Sequence, residues 1–158
     1  MVIEYNATVR EIIIDKIKTF QRVLEEFPEI KYLGDPILRM KTETAGIKEG
    51  KQIGQRLGET LVRYRKLTGM GRGLAGPQIG LDKSVFVTFV DNNLQIYINP
   101  MITGRSNSSN YYRELCISSG IMGADVRRSE EITLEWTDEN GNSHKQKFDG
   151  FMARLLQT

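Results

Sequence analysis

Cys116 and His144 are the side chains best suited to nucleophilic or metal chemistry, since the chain contains one cysteine and one histidine. Cys116 lies in RELCISSG, beside Glu114 and small polar residues that suit the edge of a site. His144 follows a hairpin turn in GNSHKQ, where a solvated turn residue is the simplest interpretation. A thiol or serine hydrolase would need this histidine as its base, so that mechanism fits poorly. Taken alone, a single cysteine more often indicates a buried small apolar residue than a ligand.

The segment GRGLAG, residues 71–76, formally matches the GxGxxG pattern of dinucleotide sites. That pattern needs a strand before the loop and a helix that opens within it. Here a predicted helix precedes the loop and Pro77 follows at once, which argues against nucleotide binding. Two interpretations stay open: a surface turn, or a rigid glycine-rich loop that offers backbone groups to a ligand.

Two amphipathic helices and two hairpins are predicted to position these segments. Apolar residues at three- and four-residue steps predict helices over 7–27 and 49–68, with Pro28 limiting the first and Gly69 capping the second. The run SVFVTFV followed by LQIYINP predicts one hairpin, and EITLEW followed by SHKQKF predicts another. GRSNSSN, between the two hairpins, predicts a polar loop.

The last segment, FDGFMARLLQT, predicts a helix with Asp149 at its N-cap. Its apolar stripe consists of Phe148, Phe151, Met152, Leu155 and Leu156. No glycine, asparagine or polar last turn ends this helix, so we expect the given chain to be cut within a core helix. Helices at both ends with antiparallel strands between them predict an α+β domain.

Composition excludes several classes of function. A chain of 158 residues predicts one domain, and a net charge of +2 gives no reason to invoke nucleic acid or an acidic membrane. No apolar run is long enough to span a membrane, and the N-terminus lacks a secretory cleavage site. A lone cysteine cannot form an internal disulfide, which favours a reducing compartment, the cytoplasm.

Three segments in order resemble landmarks of the peptide deformylase family: GRGLAGPQIG (71–80), RELCISSG (113–120) and DGFMARLLQT (149–158). GDPILR (34–39) and YINPMI (97–102) are similar to the same family. The resemblance implies antiparallel β-sheets packed around a C-terminal core helix. It covers roughly residues 30–158, which leaves residues 1–29 as an N-terminal helical extension that could cover the sheet or mediate self-association.

The resemblance also implies roles for named residues. Cys116 would be a metal-ligand thiolate, and the Gln78 side chain with the Ile117 backbone N–H would hold the developing oxyanion. The substrate-binding residues implied are Gly71, Arg72, Gly73, Leu74 and Glu114. The two histidines of a His-Glu-x-x-His motif on the last helix would complete an Fe, Zn or Ni site, and the glutamate of that motif would be the general acid/base. The implied partners are N-formyl-methionyl peptides at the ribosome.

The chain departs from the family pattern at several positions. Gln157 matches the residue before the first metal histidine, but Thr158 stands where that histidine is expected. Leu115 replaces a glycine, Arg72 an aliphatic residue, and Gly123 the usual peptide-contacting arginine. Arg72 could therefore change peptide affinity by adding charge at the cleft.

Three interpretations follow from these departures. The chain is a deformylase-type metallohydrolase whose missing ligands lie beyond residue 157, or an inactive relative that binds peptide or protein through the retained cleft, or a fragment without function. Residues 1–158 alone are expected to hold no catalytic metal and to show no turnover. The oligomeric state stays open.

Overall fold

The computed structural model describes the chain from Val2 to Thr158 and its side chains from Thr8 onward. Three α-helices are present: α1 (Val2–Glu26), α2 (Ile47–Thr68) and α3 (Gly150–Leu156). The strands are β1 (Gly73–Ala75), β2 (Val85–Val90), β3 (Asn93–Arg105), β4 (Ser109–Leu115), β5 (Gly123–Ser129), β6 (Glu131–Thr137) and β7 (Ser143–Asp149). Short 3-10 turns lie at Pro36–Arg39, Gly76–Ile79 and Ile117–Ser119. The α+β class with helices at both ends is confirmed.

The main sheet has the strand order β1-β2-β3-β6-β7, and every neighbouring pair is antiparallel. Side chains of β2 and β3 alternate between its two faces, as the two-residue period of a strand requires. Val87 and Ile96 face α2, whereas Phe86 and Tyr97 face α3. The sheet therefore separates two apolar clusters, and β1 forms one of its edges.

Helix α2 lies unusually close to β3 because glycines recur every four residues along one side. A Cβ atom at Gly50 would come within 2.7 Å of the Ile98 side chain, and one at Gly54 within 2.5 Å of Ile96. Gly69 ends the helix in the left-handed region, with φ 71° and its N–H donating to the Arg65 carbonyl at 2.8 Å. The predicted cap at this position is confirmed.

Helix α1 belongs to the protein body only through its last turns. Phe20, Val23 and Phe27 pack with α2 in the main core, while the side chains of residues 8–18 are exposed. Helix α1 thus packs against α2, and the interpretation that this extension covers the sheet stays a prediction. The interpretation that this extension mediates self-association stays a prediction, and residue 1 lies outside the described residues.

Three local predictions need correction. The segment GRSNSSN is a loop only at its centre, since β3 continues to Arg105 and β4 begins at Ser109. The glycine-rich run after α2 contains the short strand β1 rather than loop alone. In α3, Phe151 of the predicted apolar stripe is 47% exposed, whereas Ala153 is fully buried, and Asp149 holds the N-cap position without a side-chain hydrogen bond.

Among the described helices, none combines the length and apolar character needed to cross a membrane.

Candidate active site

Gln78 joins the glycine-rich loop to the turn that carries Cys116. Its side-chain Oε1 accepts a hydrogen bond from the Ala75 N–H at 2.9 Å, which closes the Gly76–Ile79 turn on itself. Its Nε2 donates to Cys116 Sγ at 3.4 Å and to Ser118 Oγ at 3.3 Å. The two motif segments predicted to form one site are therefore in direct contact.

The glycine-rich loop can lie close to the backbone of residues 81–83 because residue 76 is a glycine. A Cβ atom at this position would lie 2.7 Å from the Lys83 carbonyl oxygen and 3.0 Å from that of Leu81, which are backbone atoms that cannot move easily. Pro77 then opens the 3-10 turn, where its missing N–H is of no consequence. These two residues hold Gln78 in place.

The Cys116 turn is tied down by its own serines. The Ser119 hydroxyl lies 2.8 Å from the Cys116 carbonyl oxygen, and the Cys116 N–H donates to Ser119 Oγ at 3.3 Å. Ile117 and Ser118 are buried, while Cys116 is partly exposed. Ile117 is the first residue of the 3-10 turn, so its N–H has no acceptor within that turn. Among the described residues, no other hydrogen-bond acceptor contacts this N–H. A donor is thus available beside the thiol.

Strand β1 provides the third wall of the site. Gly71 lies next to the Cys116 turn, because a Cβ atom there would be 3.6 Å from Ile117 Cδ1. Gly73 lies beside α3, since its Cβ position is 3.4 Å from Leu155 Cδ1. The Leu74 side chain is buried in the main core, which leaves only its backbone for a ligand.

Glu114 has its carboxylate occupied within the protein. Arg128 donates to it twice, from Nε to Oε1 at 3.0 Å and from Nη2 to Oε2 at 2.7 Å, and Arg154 Nη1 also contacts Oε1. Burial alone raises the pKa of Glu114, but the hydrogen bonds and charges of the two arginines outweigh it and bring the pKa below its ordinary value. The predicted substrate contact of Glu114 stays a prediction, while its observed contacts join β4 to β5 and α3.

Gln157 fastens the end of α3 to the sheets. Its side chain exchanges two hydrogen bonds with the Ser129 backbone, from the Ser129 N–H to Oε1 at 3.1 Å and from Nε2 to the Ser129 carbonyl at 2.8 Å. Arg105 Nη1 donates to the same Oε1 at 2.8 Å, and Arg128 contacts the Gln157 carbonyl oxygen. One arginine, Arg128, therefore contacts both the strand before Cys116 and the last turn of α3.

The contacts of Arg128 and Arg154 with Glu114 were not predicted from the sequence, because Glu114 lies 14 and 40 residues away from them along the chain. Tyr64 of α2 was missed for the same reason. A Cβ atom at Gly71 would lie 3.2 Å from Tyr64 Cδ1 and 3.6 Å from Ile117 Cδ1, so α2 also reaches the Cys116 turn. The pKa of Tyr64 is raised mainly by burial and further by Cys116.

The described residues do not make a metal site by themselves. No group of three or more histidine, cysteine or acidic side chains converges anywhere in the described part of the chain. Near Cys116 the closest carboxylate in sequence, Glu114, is held by two guanidinium groups. His144 lies on β7, 2.8 Å from the Asp138 carboxylate and stacked on Trp136 at a ring distance of 4.9 Å. The interpretation of His144 as a turn residue is wrong, because its backbone pairs with Trp136 in the β6–β7 ladder.

Comparison with known proteins gives one consistent result. The sequence profile of the polypeptide deformylase family matches residues 27–158. A peptide deformylase of Treponema pallidum (strain Nichols) is 32% identical over 131 residues, covering 82% of this chain and 78% of the relative. One of Pseudothermotoga lettingae is 32% identical over 135 residues, covering 82% and 73%.

Solved structures agree with the sequence matches. A probable peptide deformylase from Synechococcus phage S-SSM7 has a TM-score of 0.73 at 30% identity and covers 81% of this chain and 88% of its own. Peptide deformylase from Thermus thermophilus has a TM-score of 0.73 at 32% identity, covering 81% and 75%. The family profile matches from residue 27 onward, so the whole of α1 lies outside it.

Proposed function

This chain belongs to the polypeptide deformylase family, a family of metal-dependent hydrolases, and we propose that its cleft binds N-formyl-methionyl peptides for removal of the formyl group. The observation that carries the proposal is the contact of the Gln78 amide with Cys116 Sγ and Ser118 Oγ. It brings two segments of the resemblance, those of Gln78 and Cys116, together in one cleft beside the edge strand β1.

In this proposal a peptide lies along the outer edge of β1, where an extended chain can add as another strand beside Gly73, since the Ala75 N–H already donates to Gln78. The Ile117 N–H donates to the formyl oxygen as negative charge develops there. Gln78 Nε2 supplies a second donor, but it must first release one of its two present acceptors. Both of those contacts are long, at 3.3 and 3.4 Å, so the exchange costs little.

Cys116 is the one described residue of the cleft that would serve a divalent metal such as Fe, Zn or Ni. A hydrolytic site of this kind needs three protein ligands and one open position. The described residues of the cleft provide one, so we propose that turnover requires ligands that they do not supply. The single cysteine suits a reducing compartment, and we place the protein in the cytoplasm with new polypeptides as its partners.

A second candidate is a peptide-binding relative without turnover. It is favoured by the sulfur of Cys116, which has Gln78 as its hydrogen-bond partner and belongs to no group of three or more candidate metal ligands among the described residues. Under this candidate the cleft and β1 edge keep their binding role, and the Gln78–Cys116 contact is a structural bond between two loops.

Two assays on the 158-residue protein test these functions. Formate release from formyl-Met-Ala is expected to be absent with Zn²⁺, Ni²⁺ or Fe²⁺ added. Formate release that Cys116→Ala abolishes would contradict the requirement for further ligands. Peptide binding is expected, with formyl-Met peptides bound more tightly than the same peptides with a free amine. Equal affinities, or no binding, would remove the proposed recognition of the formyl group.

A further inference from the structure

Arg72 carries an exposed positive charge at the mouth of the cleft. Its guanidinium carbon lies 4.8 Å from the centre of the Phe151 ring on α3, and its carbonyl accepts a hydrogen bond from the Phe89 N–H at 2.8 Å. The preceding carbonyl, that of Gly71, accepts a hydrogen bond from Arg65 Nη1 at 2.5 Å. The backbone of Arg72 is therefore fixed from both sides, and the ring supports one face of its guanidinium.

This charge has no counter-ion within the described chain. Arg22, Arg113, Arg128 and Arg154 each have a carboxylate partner. No carboxylate lies within 4.0 Å of Arg72 or of its neighbour Arg65 among the described residues. Phe151 covers only one guanidinium face, so the N–H groups along the edge are free to meet an external carboxylate.

Arg72 also stands at the right place to meet a substrate. Gly71 lies against Ile117 of the Cys116 turn, and Gly73 lies against Leu155 of α3. Arg72 is between these two glycines, at the start of the edge strand β1. A peptide whose formyl group lies at the Ile117 N–H and whose backbone follows β1 must pass this side chain within its first few residues.

We propose that Arg72 makes this cleft selective for N-formyl-methionyl peptides with an acidic side chain at the second or third residue. The inference rests on the proposed function, because it assumes that formylated peptides bind along β1. An aspartate or glutamate there would form a hydrogen-bonded ion pair with the guanidinium edge, whereas a lysine would meet two unpaired positive charges, those of Arg72 and Arg65.

The test measures the affinity of the 158-residue protein for fluorescein-labelled formyl-Met peptides by fluorescence anisotropy. The peptides carry glutamate, glutamine or lysine at position two or three and alanine elsewhere. We expect glutamate to bind about two- to fivefold more tightly than glutamine at low salt, and lysine to bind most weakly. The ratio should shrink as ionic strength rises, because salt screens exposed charges.

Three variants assign the effect to Arg72. Arg72→Gln should make the glutamate and glutamine peptides equal, and Arg72→Glu should reverse the order of the glutamate and lysine peptides. Arg22→Gln, which removes an equal charge from α1 far along the chain, should leave the preference unchanged. All four proteins are compared by circular dichroism, and the exposure of Arg72 and Arg22 predicts no loss of folding.

The outcomes separate this inference from the function on which it rests. If formylated peptides bind but glutamate has no advantage, or if Arg72→Gln keeps the advantage, the selectivity assigned to Arg72 is wrong while formyl-peptide binding stands. If no formylated peptide binds, the proposed function is wrong and the inference is overturned with it.

Discussion

Replacing Glu114 by glutamine removes the counter-charge that Arg128 and Arg154 share. The side chains of Glu114, Arg128 and Arg154 are only 18%, 18% and 14% exposed, so water can replace the lost carboxylate only in part. Glutamine keeps the shape and one acceptor oxygen, but it turns an amide toward two guanidinium groups. The substitution therefore removes the negative charge and one of the two acceptor oxygens while it keeps the volume of the side chain.

The magnitude follows from the burial of this cluster. Breaking a fully buried ion pair by removing one partner costs about 3–5 kcal/mol, because an uncompensated charge stays behind. The remaining exposure of these side chains reduces the cost, and we expect about 2–4 kcal/mol for Glu114→Gln. For a chain of this size the melting temperature should fall by roughly 4–16 °C.

The assay is urea unfolding at pH 7, followed by circular dichroism, with Glu135→Gln as the matched control. Glu135 pairs with Lys145 at 2.7 Å, but the two side chains are 36% and 67% exposed, so this substitution should cost about 1 kcal/mol or less. Equal losses for the two variants would refute the reasoning that Glu114 is the shared counter-ion of a shielded cluster.

The pH dependence gives an independent check. The folded-state pKa of Glu114 lies below its ordinary value of 4.5, so its stabilisation is complete above that value and is lost as the pH falls through the folded-state pKa. The difference between the wild type and Glu114→Gln should therefore be constant near neutrality and shrink in acid. A difference that grows as the pH falls would contradict the direction of the shift.

Three further predictions concern packing and the β6–β7 turn. Gly54→Ala should destabilise the protein by about 1–3 kcal/mol although alanine favours a helix, because its Cβ would meet Ile96 at 2.5 Å. As a control, Gln55→Ala on the exposed side of α2 should leave the melting temperature unchanged. Gly76→Ala should cost about 1–3 kcal/mol by forcing the loop from the Lys83 carbonyl, and should weaken formyl-peptide binding, whereas an unchanged melting temperature would show that the loop relaxes freely. Asp138→Asn should lower the urea midpoint at pH 7, since hydrogen bonds from the His144 ring and from Asn142 hold the pKa of Asp138 below 3.8. The difference in urea midpoint between the wild type and this variant should shrink as the pH falls below 3.8, and a difference that does not depend on pH would contradict this cause.

The sequence predicts those elements whose side chains have one buried face. The β6–β7 hairpin is an example, because Ile132, Leu134 and Trp136 alternate with more exposed residues on β6. The β4–β5 hairpin has no such pattern, since Tyr111 and Tyr112 are 67% and 68% exposed, and periodicity could not indicate it. Local alternation of apolar and polar residues therefore does not explain how β4 and β5 pair.

Some contacts of the site could likewise be predicted from the sequence, and others could not. The contact between Gln78 and Cys116 agrees with the resemblance of the two segments to one family, although 38 residues separate them. The Glu114 cluster could not be predicted, because its partners lie 14 and 40 residues away and leave no spacing for a helix or strand pattern to show. Charged residues of this kind are indistinguishable in sequence from solvated surface charges.

Arg128 contacts both the strand that leads to Cys116 and the end of α3. It binds Glu114, two residues before Cys116, and it contacts the carbonyl of Gln157, the residue before position 158. The strand that leads to Cys116 and the end of α3 are therefore held by the same guanidinium, together with the Gln157–Ser129 pair that fixes the helix end. Arg128→Lys should consequently weaken both anchors at once, since a single ammonium cannot keep the two-point contact to Glu114 and also reach Gln157. Protection of the Gln157 and Ser129 backbone amides from hydrogen exchange is the direct measurement, and protection equal to that of the wild type would show that the helix end is held without Arg128.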